Sequence, residues 1–147
     1  MRVERLIIFT IPGQPVAKGR PRFARRGAGM AAYTPQKTQS YENLVKLVAA
    51  SAMQGREPSA APMSLYIVLS MQIPASWSAK RRAMAAGGQI RATKKPDADN
   101  VLKSVKDGCN GIVWRDDAQV VIIMLQKKYA EIPSVIVNIK ELLGESA

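Results

Sequence analysis

The sequence predicts an α/β fold, as a single domain with a mixed sheet of about four strands and about three helices. Strand-like and helix-like segments alternate at first, and two strand-like segments close the chain. With 147 residues, 47% of them hydrophobic, the chain has the size of one ordinary domain, which buries roughly 70% of its unfolded surface. We therefore expect one domain over residues 1–147.

Four segments have the composition of strands. Each is rich in Ile, Val or Leu and is bounded by proline, glycine or other turn residues, and the four cover residues 4–12, 64–73, 120–127 and 134–139. Pro12 and Gly13 end the first of them.

The first predicted helix covers residues 38–54. Its apolar residues are spaced for one face, Thr38 or Ser40 is available as an N-cap, and Gly55 follows its end.

Two shorter helices are expected later in the chain. One opens at residues 74–76 and runs to residue 86, with Trp77 as a packing residue rather than a surface for stacking bases. A basic, flexible segment at residues 87–95 follows. The other helix begins at Asp99 or Asn100 and ends near residues 110–111, which suit a left-handed cap.

The charge indicates a polyanionic partner. The chain has 22 Lys and Arg against 11 Asp and Glu, a net charge of +11, and contacts between basic side chains and phosphates drive binding to nucleic acid by releasing counterions. The segment at residues 14–30 is expected to form either a mobile basic loop or a ragged strand pair. Its basic side chains either contact DNA or are simply solvated. These candidate DNA contacts are Lys18, Arg20, Arg22, Arg25 and Arg26.

Several functional classes are excluded by composition. The chain has no histidine and one cysteine, so zinc sites, internal disulfides and histidine-based nucleophilic catalysis are not expected. Residues 13–19 resemble a phosphate-binding loop in outline, but the spacing and the order of the residues are wrong. The longest apolar run, residues 120–125, is too short to cross a membrane, and the first residues lack a secretory signal. We therefore expect an intracellular protein.

All five aspartates lie between residues 97 and 117, whereas the glutamates are scattered. Asp97 and Asp99 are two residues apart, and two carboxylates that share a site repel each other unless a cation lies between them. A tight connection from helix to strand could bring Asp116 or Asp117 back beside this pair. Oxygen ligands alone are typical of a hard cation, Mg²⁺ first and Mn²⁺ second.

Ordinary structural roles are the alternative for these residues. Lys103 stands four residues from both Asp99 and Asp107, and such helix pairs contribute only about 0.3–0.5 kcal/mol each. Asp99 could cap the helix, and Asp116 with Asp117 could form a turn. The concentration of acids in one window of a basic chain favours the metal site.

The segment KPDADNVLKSVKDGCNGIVWRDDAQVV, residues 95–121, resembles the core motif of the RusA family of Holliday-junction resolvases. The likeness includes an Asp-x-Asp-Asn start, a lysine four residues after the second aspartate, a further aspartate four residues later, and a Trp-x-Asp-Asp-Ala-Gln ending. YTPQKTQSYE, residues 33–42, is similar to the segment before the family's first helix. The pair Gly108 and Cys109 departs from the more helix-favouring residues that are usual there.

The resemblance implies specific roles. Asp97, Asp99 and Asp117 match the family's metal-binding catalytic carboxylates, and Lys103 matches its catalytic lysine, while Asp107 and Asp116 are expected to support or cap the site. It implies a Mg²⁺-dependent endodeoxyribonuclease that resolves four-way junctions in recombination or repair, leaving 5′-phosphate and 3′-hydroxyl ends.

The resemblance also implies the setting of the reaction. Two symmetric cuts imply a homodimer with one site per subunit, and a bacterial or phage-encoded cytoplasmic protein is expected. The alternatives are a nuclease for other branched DNA and a basic DNA-binding protein without catalysis.

Overall fold

The structure is a computed structural model that describes residues 5–33 and 35–147. The predicted α/β class is confirmed, with three α-helices, a mixed four-stranded sheet and a separate two-stranded sheet. The elements are β1 (Leu6–Pro12), β2 (Arg22–Arg26), β3 (Gly29–Tyr33), α1 (Gln36–Met53), β4 (Met63–Gln72), α2 (Ala79–Ala86), α3 (Ala98–Cys109), β5 (Val120–Ala130) and β6 (Ser134–Glu141).

The main sheet has the strand order β1-β6-β4-β5. β6 pairs antiparallel with both β1 and β4, whereas β4 and β5 are parallel. A parallel pair needs a long crossover, and the segment that carries α2 and α3 provides it. β5 is therefore an edge strand. Because it runs parallel to β4, Val120 at its start lies opposite Met63 at the start of β4, and Lys127 lies opposite Leu69 near the end of β4.

One face of the sheet forms the core. Leu65, Ile67 and Leu69 of β4 are fully buried there, together with Val45 of α1 and Val105 of α3. On the other face, Ile8, Tyr66 and Ile136 remain between 38% and 55% exposed.

The packing of α1 on α3 depends on Gly108. A Cβ atom at this position would lie 2.5 Å from Cγ1 of Val45, closer than real side-chain contacts allow. The helix remains regular to Cys109. The glycine that weakens the helix is therefore explained by the close approach of the two helices.

Several predicted boundaries differ from the observed ones. α1 begins at Gln36, with Pro35 at the N-cap position and no side-chain cap, so the prediction that Thr38 or Ser40 caps it is wrong. Thr38 is instead buried, and its Oγ1 accepts a hydrogen bond from the Gly19 N–H at 2.8 Å. Thr38, which the local pattern suggested as a helix cap, therefore makes a hydrogen bond to a residue distant in sequence instead.

The second helix begins later than predicted. Ser78 caps α2 by accepting a hydrogen bond from the Arg81 N–H, and residues 75–77 precede the helix as a turn and bend. Trp77 packs edge-on against Tyr129, with 5.4 Å between ring centroids, and the Arg81 guanidinium lies over its ring. Residues 87–90 continue from α2 as turns and a bend, with Gly88 in the left-handed region.

The other boundaries agree with the expected elements to within a few residues. The third helix starts at Ala98, with Asp97 at the N-cap position, and Gly111 just beyond its end has a positive φ. Of the predicted segment 14–30, the strand-pair alternative holds from Arg22 onward, because β2 and β3 form an antiparallel hairpin. Glu4, the predicted start of the first strand, lies outside the described residues.

Candidate active site

The start of α3 presents two aspartates to solvent. Asp97 occupies the N-cap position and Asp99 the first turn, and both are exposed. The Asp97 carboxylate makes no capping hydrogen bond, so it is free to bind a ligand. The Lys127 ammonium fixes the preceding segment by donating to the carbonyl oxygens of Lys94 and Pro96.

Lys103 lies one turn beyond Asp99 on the same helix. A spacing of four residues places the two side chains on one face, and Lys103 is exposed. Within residues 5–33 and 35–147 its ammonium has no ion-pair partner at 4.0 Å or less. Its charge is therefore available to an anionic substrate beside the two carboxylates.

Asp107, one turn further along, has a structural partner. Its carboxylate accepts a hydrogen bond from the Lys18 ammonium, which also lies 3.2 Å from Oε1 of Glu42 in α1. The hydrogen bond to Asp107 raises the pKa of Lys18 above its ordinary value. This ion-paired cluster connects the loop before β2 to both α1 and α3.

Lys18 thus differs from the four arginines that were predicted with it to contact DNA. Its backbone N–H also donates to the Asn100 carbonyl at 3.0 Å, so the residue is anchored at the first turn of α3. Arg20, Arg22, Arg25 and Arg26 are all exposed.

Asp117 lies beyond the other end of α3. It opens a short 3₁₀ turn (Asp117–Gln119), and its Oδ1 accepts a hydrogen bond of 2.7 Å from Nε1 of the fully buried Trp114. The indole therefore fixes the carboxylate. Burial, with a smaller contribution from the Asp117 charge, raises the pKa of the Cys109 thiol above its ordinary value.

Asp116 caps this turn. Its Oδ1 accepts from the Ala118 N–H, and its own N–H donates to Oε1 of Gln119. The Gln119 side chain then donates to the carbonyl oxygens of Ser59 and Ala61, which holds the turn against the segment before β4. These contacts make Asp116 a residue that positions Asp117.

The single chain does not bring Asp117 beside Asp97 and Asp99. The twelve residues of α3 separate the two ends by about 18 Å at 1.5 Å per residue. No group of three acidic or cysteine side chains close enough to hold a metal ion occurs among the described residues. The three carboxylates therefore do not fit a Mg²⁺ ion within one copy of this chain.

A basic groove borders the first pair of aspartates. Its volume is about 560 Å³, and its lining includes Arg20, Arg22, Lys37 and Pro96. Because Pro96 immediately precedes Asp97, the groove leads to the start of α3. Sequence reasoning missed Lys37 and Lys127, since one is an isolated lysine in a helix and the other ends a predicted strand.

Within the described ranges, no helix is both long enough and apolar enough to span a membrane.

Comparison with known proteins agrees with the motif. The family model described as endodeoxyribonuclease RusA matches residues 12–140, which include every described element from β2 to β5, all of β6 except Glu141, and only Pro12 of β1. The uncharacterized protein YqaN of Bacillus subtilis (strain 168) is 38% identical over 138 residues, covering 92% of this chain and 96% of that protein. The chain therefore belongs to the RusA family of endodeoxyribonucleases, enzymes that hydrolyse phosphodiester bonds within DNA.

Proposed function

We propose that this protein is a divalent-metal-dependent endonuclease that nicks four-way DNA junctions symmetrically as a homodimer, in recombination or repair. The observation that carries the proposal is the N-terminal end of α3, where Asp97, Asp99 and Lys103 are exposed beside a basic groove. Carboxylates next to cations suit phosphodiester hydrolysis, because the reaction needs both a metal site and a binding site for phosphate.

The basic residues would bind phosphate groups, and the carboxylates would hold the metal ion. Arg20, Arg22 and Lys37 in the groove would bind backbone phosphates and lead the strand towards the start of α3. Lys103 would bind a non-bridging oxygen of the scissile phosphate or orient the attacking water. A bound Mg²⁺, or Mn²⁺ in its place, would supply an activated water and stabilise the charge on the phosphoryl oxygens.

A second copy of the chain would complete the carboxylate set. The edge strand β5 exposes four consecutive apolar residues, Val121, Ile122, Ile123 and Met124, at 42% to 62% each. An unpaired edge with this composition is a template for association with another strand. We infer that β5 pairs antiparallel with β5 of the partner.

This pairing would bring opposite ends of the two strands together. With the two-fold axis between Ile122 and Ile123, the Asp117 end of one strand lies beside the Lys127 end of the other. Lys127 in turn holds the Pro96 carbonyl next to Asp97. Asp97 and Asp99 of one subunit and Asp117 of the partner subunit would then supply the ligands of one metal site, and two-fold symmetry would repeat it.

The test compares nicking of a synthetic four-way junction with nicking of linear duplex of the same sequence, each with Mg²⁺ and with chelator. We expect paired, symmetric cuts on the junction with Mg²⁺ alone, and binding in both conditions. Equal cutting of flaps or three-way branches would identify a nuclease for branched DNA in general. Binding without cutting in any metal would identify a DNA-binding protein without catalysis. The separation of Asp117 from Asp97 and Asp99 within one chain favours this second candidate.

A further inference from the structure

The hairpin of β2 and β3 projects a basic surface from the site. The sequence contains no Asp or Glu between residues 5 and 41, so the hairpin carries positive charge without compensation. Its base is anchored beside α3 by the hydrogen bonds from Lys18 to Asn100 and from Gly19 to Thr38. The hairpin is therefore fixed at one end next to Asp97 and Asp99 and extends into solvent at the other.

The two strands of the hairpin leave large apolar side chains exposed. In the register Phe23 pairs with Ala32 and Arg25 pairs with Met30, so these four residues share one face. Phe23 and Met30 are diagonal neighbours there, and each is 67% exposed. A single hairpin buries too little apolar surface to be stable alone. Because Phe23 and Met30 are exposed, they do not contribute to the stability of the fold.

We propose that Phe23, supported by Met30, is a wedge that stacks into the branch point of the DNA and gives the enzyme its preference for branched over linear substrate. This inference rests on the proposed function. Exposed apolar side chains flanked by arginines are the device by which proteins open base steps, because the cations hold the backbone while the apolar group replaces a stacked base. At a branch point the stack is already interrupted, so insertion costs least there.

The position of Phe23 relative to the scissile site supports the assignment. Its neighbour Arg22 lines the same groove as Pro96, which precedes Asp97. Because successive side chains of a strand point to opposite faces, Phe23 lies on the other face of β2 from Arg22, on a strand that borders the groove leading to Asp97.

The experiment places 2-aminopurine at the branch point of a four-way junction and measures its fluorescence with chelator, so that no strand is cut. The variants are Phe23→Ala, Met30→Ala and Phe23→Trp, which keeps a stacking surface. Leu143→Ala is the matched control, because Leu143 is an apolar residue that is 70% exposed outside the hairpin. Affinities for the junction and for linear duplex are measured in parallel.

We expect the wild type, Phe23→Trp and Leu143→Ala to raise the fluorescence on binding. Phe23→Ala should lose the rise, and its junction-to-duplex affinity ratio should fall about tenfold, as for the loss of one stacked base. Met30→Ala should show a smaller loss. An unchanged rise and ratio in Phe23→Ala, or an equal loss of affinity for both DNAs, would overturn the wedge while leaving the nuclease proposal intact. Failure of the wild type to bind the junction would overturn both.

Discussion

At the scale of single residues, the five aspartates that the sequence presents as one group have different surroundings. Asp97 and Asp99 are exposed at the start of α3, Asp107 pairs with Lys18, Asp116 caps a turn, and Asp117 accepts from a buried indole. Composition and spacing predicted a shared site for acids that lie in one window of the sequence. The partners of Asp107 and Asp117 could not be predicted, because they depend on contacts with Lys18 and on the burial of Trp114.

Substitutions at Asp117 separate its structural role from its proposed catalytic one. Asn keeps an oxygen that accepts from the Trp114 indole, so Asp117→Asn should retain the thermal stability of the wild type and lose nicking. Asp117→Ala leaves the buried N–H without a partner and should lower the free energy of unfolding by about 1–3 kcal/mol as well. Thermal denaturation and the junction assay measure the two effects. An Asp117→Asn variant that nicks at the wild-type rate would remove Asp117 from the site.

The pairing of Lys18 predicts a pH-dependent contribution to stability. Replacing the lysine leaves the Asp107 and Glu42 carboxylates without their shared cation. Lys18→Met should therefore lower the free energy of unfolding by about 1 kcal/mol at neutral pH. The folded-state pKa of Lys18 is raised above 10.5. The stabilisation is therefore fully present below pH 10.5, and it is lost as the pH rises through the folded-state pKa.

Denaturant titrations of both proteins at increasing pH measure this difference. A difference that stays constant far above pH 10.5 would show that the lysine stabilises by packing and not by charge.

At the scale of elements, Gly108 shows how tertiary packing overrides helix propensity. Alanine is favoured over glycine in a helix by about 1 kcal/mol, but here its Cβ would collide with Val45. Gly108→Ala should therefore destabilise the protein by about 1–3 kcal/mol. Gly29→Ala is the matched control, because the nearest atom would be the Arg26 carbonyl oxygen at 3.8 Å. Calorimetry in which Gly108→Ala unfolds at or above the wild-type temperature would contradict this account of the packing.

The existence and type of the main elements could be predicted from the sequence, and several of their ends could not. The apolar strands of the main sheet have a strong local pattern, and so does the amphipathic α3. The predicted start of α1 was wrong because Thr38 accepts a hydrogen bond from Gly19, nineteen residues away, instead of capping the helix. The hairpin could not be assigned firmly, because its strands are exposed on both faces and give no alternating pattern.

At the scale of the whole molecule, one copy of the fold separates Asp117 from Asp97 and Asp99, the carboxylates that we propose share one metal ion. The parallel arrangement of β4 and β5 determines this, because it puts the start of β5 and the start of α3 at opposite ends of the sheet. In the proposed dimer, pairing of the exposed apolar edge of β5 with the same edge of the partner would bring these carboxylates together. A charged substitution such as Ile123→Lys should therefore yield monomers that bind DNA and do not cut it, as light scattering and the junction assay would show.

The most direct test of the composite site mixes two inactive variants, Asp99→Asn and Asp117→Asn, under conditions in which subunits exchange. In a mixed dimer one site would then combine an intact Asp97 and Asp99 with an intact Asp117 from the other subunit. We predict that the mixture recovers about one quarter of the wild-type nicking rate, as single cuts rather than paired ones, since half of the dimers are mixed and each has one working site. A mixture that exchanges subunits and stays inactive would contradict the shared site and with it this account of the dimer.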